Sequence, residues 1–164
     1  MDDVYGSSIL SKPHLMKKCH PQDANKMDHA LAFSYQNSLI FAALDDFSAS
    51  DLLGGVHGGQ FGGEMSAWKS AVICFLRRNT FSELIAFRIS VDEKFLGVHE
   101  MLNLFSNSDP NINPEVWIGI QFHGTERLRS IIATHGMLGW EHVKSPVNED
   151  LIVAITQIYE NCGL

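Results

Sequence analysis

GGVHGGQFGG, residues 54–63, holds six of the chain's thirteen glycines in ten positions. Gly-Gly pairs recur every four residues, with Val-His and Gln-Phe between them. A continuous helix through this run is excluded in water. Each interior glycine costs about 0.8–1 kcal/mol against alanine, so six cost on the order of 5 kcal/mol. That is comparable with the whole stability of a small domain. The i, i+4, i+8 spacing of Gly54, Gly58 and Gly62, repeated by Gly55, Gly59 and Gly63, would let helices touch closely in lipid. No stretch of about 18 uncharged apolar residues exists to place it there.

Two readings of the run as a loop are left, besides a phosphate cradle. The cradle fits poorly. GxGxxG is absent, and Gly63 is followed by Glu64 where a Walker loop needs lysine. A carboxylate at the start of the next helix already fills the electrostatic niche an anion would use. In the first loop reading, 54–63 is a mobile connection between two helices, permissive for positive φ. It then displays His57, Gln60 and Phe61 as recognition side chains. In the second, Phe61 tucks into the core and the glycines only provide a tight path.

Helical periodicity flanks the run. Residues 24–47 read as a long helix capped by Asp23 and ending at Ser48. Apolar residues on two of its faces predict a central position, covered on most sides. EMSAWKSAVICFLRRN predicts a second helix, with Glu64 in its first turn and Arg77 and Arg78 in its last. Ile85, Phe87, Ile89 and Val91 then alternate as a strand, and so do Val116, Ile118, Ile120 and Phe122. MLGWEHVKS suggests a third, short strand. Asp92, Thr125 and Asn148 are the expected caps of three intervening helices, and Gly136 and Gly163 end the last two. SNSDPNINP is a loop.

This order predicts an α/β or α+β fold: a small sheet of about three to four strands with helices packed on it, preceded by two N-terminal helices. Strand–helix alternation favours parallel βαβ crossovers, and an all-α fold is the alternative. The 164 residues suffice for one domain with a sizeable core. The expectation is a single globular domain over 1–164, with an irregular lead-in at 1–22.

The net charge of −7 comes from 12 Lys and Arg against 19 Asp and Glu. All of the excess lies after residue 30. This acidity argues against nucleic acid and anionic membrane as partners, because both are bound through Lys and Arg. It permits a basic protein partner. Cys19, Cys74 and Cys162 are odd in number and widely spaced, and the acidic N-terminus does not resemble a signal peptide. The expected location is cytoplasmic.

Catalytic and cofactor signatures are missing. HExxH, CxxC and GxSxG do not occur. His14, Cys19 and His20 lie close together, but Cys19 and His20 are adjacent, which suits a shared tetrahedral site badly, so no metal and no cofactor is expected. Trp68, Trp117 and Trp140 are too separated to form a stacking platform in sequence. Asp45, Asp46 and Asp51 cluster beside Phe47 and the glycine run, placing acid next to a hydrophobe. Together with His57, Gln60 and Phe61 they form the expected partner-binding surface of an acidic protein-binding domain: an inhibitor, a neutralising or immunity-type protein, an adaptor or a chaperone-like partner. The alternative is an enzyme or small-molecule binder. Its site would use His123 at a strand end, with the glycine loop as lid.

Overall fold

The computed structural model describes residues 27–87, 90–91 and 94–164. The lead-in at 1–22, the cap expected at Asp23, the cluster at His14, Cys19 and His20, and Ile89 and Asp92 lie outside these residues.

Helix α1 spans His29–Leu44. Asp28 caps it, its carboxylate accepting from the Leu31 N–H at 2.8 Å. Tyr35, Leu39, Ile40, Ala42 and Ala43 are all buried, so this is the central helix that its two apolar faces predict. The fully buried Gln36 also ties it to a distant loop. Its Nε2 donates to the carbonyls of Ser145 and Pro146, and its Oε1 accepts from Asn148 N–H. The helix ends at Leu44, short of Ser48, because Asp45 turns extended and Phe47 joins a strand.

That strand, β1 (Phe47–Ser48), pairs antiparallel with β5 (Gln121–Gly124). The other edge of β5 pairs antiparallel with β2 (Ile85–Phe87). The sheet order is β1-β5-β2. The fold is therefore α+β, and the parallel crossovers expected from the element order do not form; nor is the chain all-α. The sheet lies directly against α1. A Cβ on Gly124 would sit 2.5 Å from the Ala42 carbonyl oxygen.

Two predicted strands are corrected. Val116 and Ile118 belong to a short helix, α4 (Pro114–Gly119), and only the end of that apolar run enters β5. Pro114 in the first turn has its φ preset for helix and needs no N–H partner there. The turn then buries Trp117 completely and leaves Ile118 outside. The MLGWEHVKS segment is a 3-10 turn at Trp140–His142, held to α1 where Lys144 N–H donates to Asn37 Oδ1. A separate antiparallel pair joins β3 (Ser90–Val91) and β4 (Lys94–Phe95). Helix α3 (Val98–Asn107) starts only after it, with Glu100 accepting from the Gly97 N–H.

The remaining elements follow expectation. Helix α2 spans Met65–Phe81, α5 Glu126–Thr134 and α6 Glu149–Asn161. Thr125 and Asn148 accept from Leu128 and Leu151 N–H, and Gly136 and Gly163 take positive φ past the helix ends. Among the described residues no helix is long and apolar enough to cross a membrane.

Three rings of the core come from residues distant in sequence. Trp68 and Trp117 pack 5.5 Å apart, and Phe105 meets Trp117 edge-on at 5.0 Å. Toward the other end of α2 lies a buried polar pair: Tyr159 OH donates to Asn79 Oδ1 at 2.8 Å, and Asn79 Nδ2 donates to the Phe75 carbonyl. Burial, reinforced by nearby Tyr35, pushes the Tyr159 phenol well above its ordinary 10.0.

The folded state thus keeps Tyr159 neutral where the unfolded chain would ionise it. Its contribution to stability is complete below pH 10.0 and is lost as pH rises beyond that value. Tyr159→Phe is expected to destabilise at neutral pH by about 1–3 kcal/mol, because Asn79 Oδ1 loses its donor. It is also expected to flatten the alkaline fall in stability. Urea midpoints measured across neutral and alkaline pH check both; an unchanged alkaline slope would contradict the assignment.

Candidate interaction site at the glycine coil

Residues 54–63 form a coil of linked turns. Val56 N–H donates to Leu53 C=O, Gly59 to Val56 and Gly62 to Gly59, at 2.9, 2.9 and 3.2 Å. These bonds repeat every three residues while the glycine pairs repeat every four, so the six glycines are not equivalent. Gly58 and Gly59 take φ of +78° and +73°, the left-handed region that glycine enters without strain. Gly62 is needed for another reason: a Cβ there would lie 2.7 Å from backbone atoms of His57 and Gly58. Gly54 and Gly63 face open space. The coil is a tight path, as one reading had it, but it does not bury Phe61. That ring is 88% exposed.

Side chains pin the coil at three places. At its entry Leu52 and Leu53 are buried, and the Leu52 carbonyl accepts from Trp68 Nε1 at 3.0 Å. In the middle His57, itself at φ +51°, donates from Nδ1 to Glu64 Oε2 at 2.8 Å. Glu64 is the N-cap residue of α2, so the clasp joins the coil to the following helix. Near the exit Gln60 Nε2 reaches Asn111 Oδ1 at 3.4 Å and the Pro110 carbonyl at 3.5 Å. Phe61 comes next and points at nothing in the core.

The structure thus places His57, Gln60 and Phe61 on one coil. Phe61 is its displayed side chain, while His57 and the half-buried Gln60 are occupied in holding its shape. Asp45 and Asp46 are exposed just past α1. Asp51 is exposed too, but it also accepts from Ser48 N–H and Oγ at 2.8 and 2.7 Å. The hydrophobe expected beside these acids is not available: Phe47 is core, stacked on Phe122 at 5.4 Å. Alternation along β1 and β5 turns both rings inward.

His123 is exposed in β5, opposite Ala86. The crevice expected at a strand end belongs to parallel sheets, and this sheet is antiparallel. A groove of about 450 Å³ lies elsewhere, between α3 and residues 108–116, and neither His123 nor His57 lines it. Among the described residues no three His, Cys, Asp or Glu side chains are grouped to hold a metal ion.

Sequence reasoning placed a loop at SNSDPNINP but gave it no part in the site. Asp109 Oδ1 accepts from Asn111 and Ile112 N–H, which shapes the turn and leaves Ile112 76% exposed next to the Gln60 contact. The Asp-Pro-Asn signal of that turn was visible. Its meeting with a coil fifty residues away was not. Comparison with known protein families, with curated proteins and with solved structures finds no match.

The inequivalence of the glycines is measurable. Gly62→Ala is expected to destabilise by about 1–3 kcal/mol, since backbone must move to admit the methyl group. Gly63→Ala is expected to be neutral or to stabilise by up to about 1 kcal/mol, by restricting the unfolded chain. Denaturant midpoints of the two variants decide this, and equal effects would refute the coil geometry.

Proposed function

We propose that this protein is a protein-binding domain, of inhibitor, neutralising, adaptor or chaperone-like type, that presents the glycine coil to its partner. The observation that carries this reading is the Phe61 ring, 88% exposed on a coil held by hydrogen bonds on both sides. A phenylalanine buries about 150–250 Å² when it enters a pocket. At about 25 cal/mol per Å² this is several kcal/mol before ordering costs. A backbone already shaped before binding loses less entropy on ordering.

Charge supports the same reading and narrows the partner. Between Asp45 and Glu64 there are four carboxylates and no lysine or arginine. An acidic segment of this kind attracts a basic surface and raises the encounter rate more than it slows dissociation.

Crosslinking in cells followed by mass spectrometry, with the wild type and Phe61→Ala side by side, tests the proposal. The variant is expected to fold with an unchanged denaturation midpoint, because an exposed ring contributes within about 0.5 kcal/mol. It is expected to lose at least one crosslinked protein that His123→Ala keeps. With that protein in hand, Phe61→Ala should speed dissociation, and Asn at Asp45, Asp46 and Asp51 together should slow association at low salt. Retention of every crosslinked protein by Phe61→Ala overturns the proposal.

A further inference from the structure

Helix α3 carries two faces. Met101, Leu102 and Phe105 are buried in the core. Glu100, Asn103, Leu104 and Asn107, spaced i, i+3, i+4, i+7, line the open groove of about 450 Å³ instead. Leu96, Ser108, Asn113 and Val116 complete its walls. This volume is in the range of built ligand sites.

The polar groups of the groove are only partly used. Glu100 spends Oε2 on the Gly97 N–H, leaving its second oxygen. Asn107 donates from Nδ2 to the Asn103 carbonyl, leaving its amide oxygen. Asn113 accepts at Oδ1 from Asp109 N–H, leaving its NH₂. Among the described residues the Asn103 amide has no hydrogen-bond partner. Both donors and acceptors thus remain free on an open groove with leucine and valine walls. Among the described residues Glu100 is the one charged side chain lining it.

We propose that this groove is a second binding site, separate from the glycine coil, and that it takes an extended polypeptide segment with an apolar side chain next to a cationic one. Amide side chains that present both N–H and C=O match the alternating groups of an extended backbone. From Glu100 to Asn107 the helix rises about 10 Å, the reach of about three extended residues. The apolar side chain lies between Leu104 and Val116, and the cation lies at Glu100.

Titration of the ¹⁵N-labelled full chain with three blocked peptides tests this: Lys-Leu-Ser-Leu-Lys, its Glu-flanked counterpart and its Ser-flanked counterpart. The expected result is saturable shifts at Leu96, Asn103, Leu104 and Asn107 with the Lys peptide. The Glu peptide should bind about threefold or more weakly, as for exposed charge pairs. Glu100→Gln keeps an acceptor for the Gly97 N–H and should erase the preference for lysine over serine. Leu104→Ser should weaken all binding, and Phe61→Ala should change nothing, which separates this site from the coil. Absence of shifts in the groove, shifts centred elsewhere, or equal binding of all three peptides overturns the proposal.

Discussion

The contact between Trp68 and Trp117 organises the part of the molecule that carries the glycine coil. Both indoles are fully buried, 5.5 Å apart, and each N–H must find an acceptor inside. Trp68 finds the Leu52 carbonyl at the mouth of the glycine coil. Trp117 finds Ser108 Oγ at the start of the turn that Gln60 touches. One aromatic pair thus fixes α2 against α4, and through its two polar atoms it also fixes the loops that leave the core on either side. Ser50 Oγ, donating to the Trp117 carbonyl, adds a third tie. The coil, the 108–113 turn and the α3 groove share this single anchor.

The glycines make sense against that anchor. A chain leaving a rigid core at Leu53 and re-entering a helix at Met65 has little room to turn. Left-handed residues at 57, 58 and 59, followed by the close approach of Gly62 to the backbone of Gly58, reverse it within one short coil. The entropy that glycine loses on ordering is offset by hydrogen bonds every three residues and by the His57–Glu64 clasp. The result is an aromatic ring held away from the surface by backbone geometry and not by neighbouring side chains.

Much of the helical framework was legible in the sequence. Thr125 and Asn148 read correctly as caps, and Gly136 and Gly163 as stops, because capping depends on atoms within three or four residues. The central position of α1 followed from apolar residues on two of its faces. The alternation at 116–122 misled, because Pro114 starts a helix whose turn must bury Trp117, and tertiary burial outweighs a short period-two pattern. Phe47 was legible as apolar but not as core, since its partner Phe122 lies across the sheet.

By itself the sequence determined that 54–63 could not be a helix, that the excess charge is acidic, and where most helices start and stop. These are local matters of backbone entropy, capping and composition. Tertiary structure alone decided that the strands run antiparallel, that Phe61 faces outward, and that the coil meets a turn fifty residues away through Gln60. It also decided that the polar stripe of α3 lines a groove. The reason is that each of these depends on which surfaces the two buried indoles bring together, and no local pattern encodes the distance between Trp68 and Trp117.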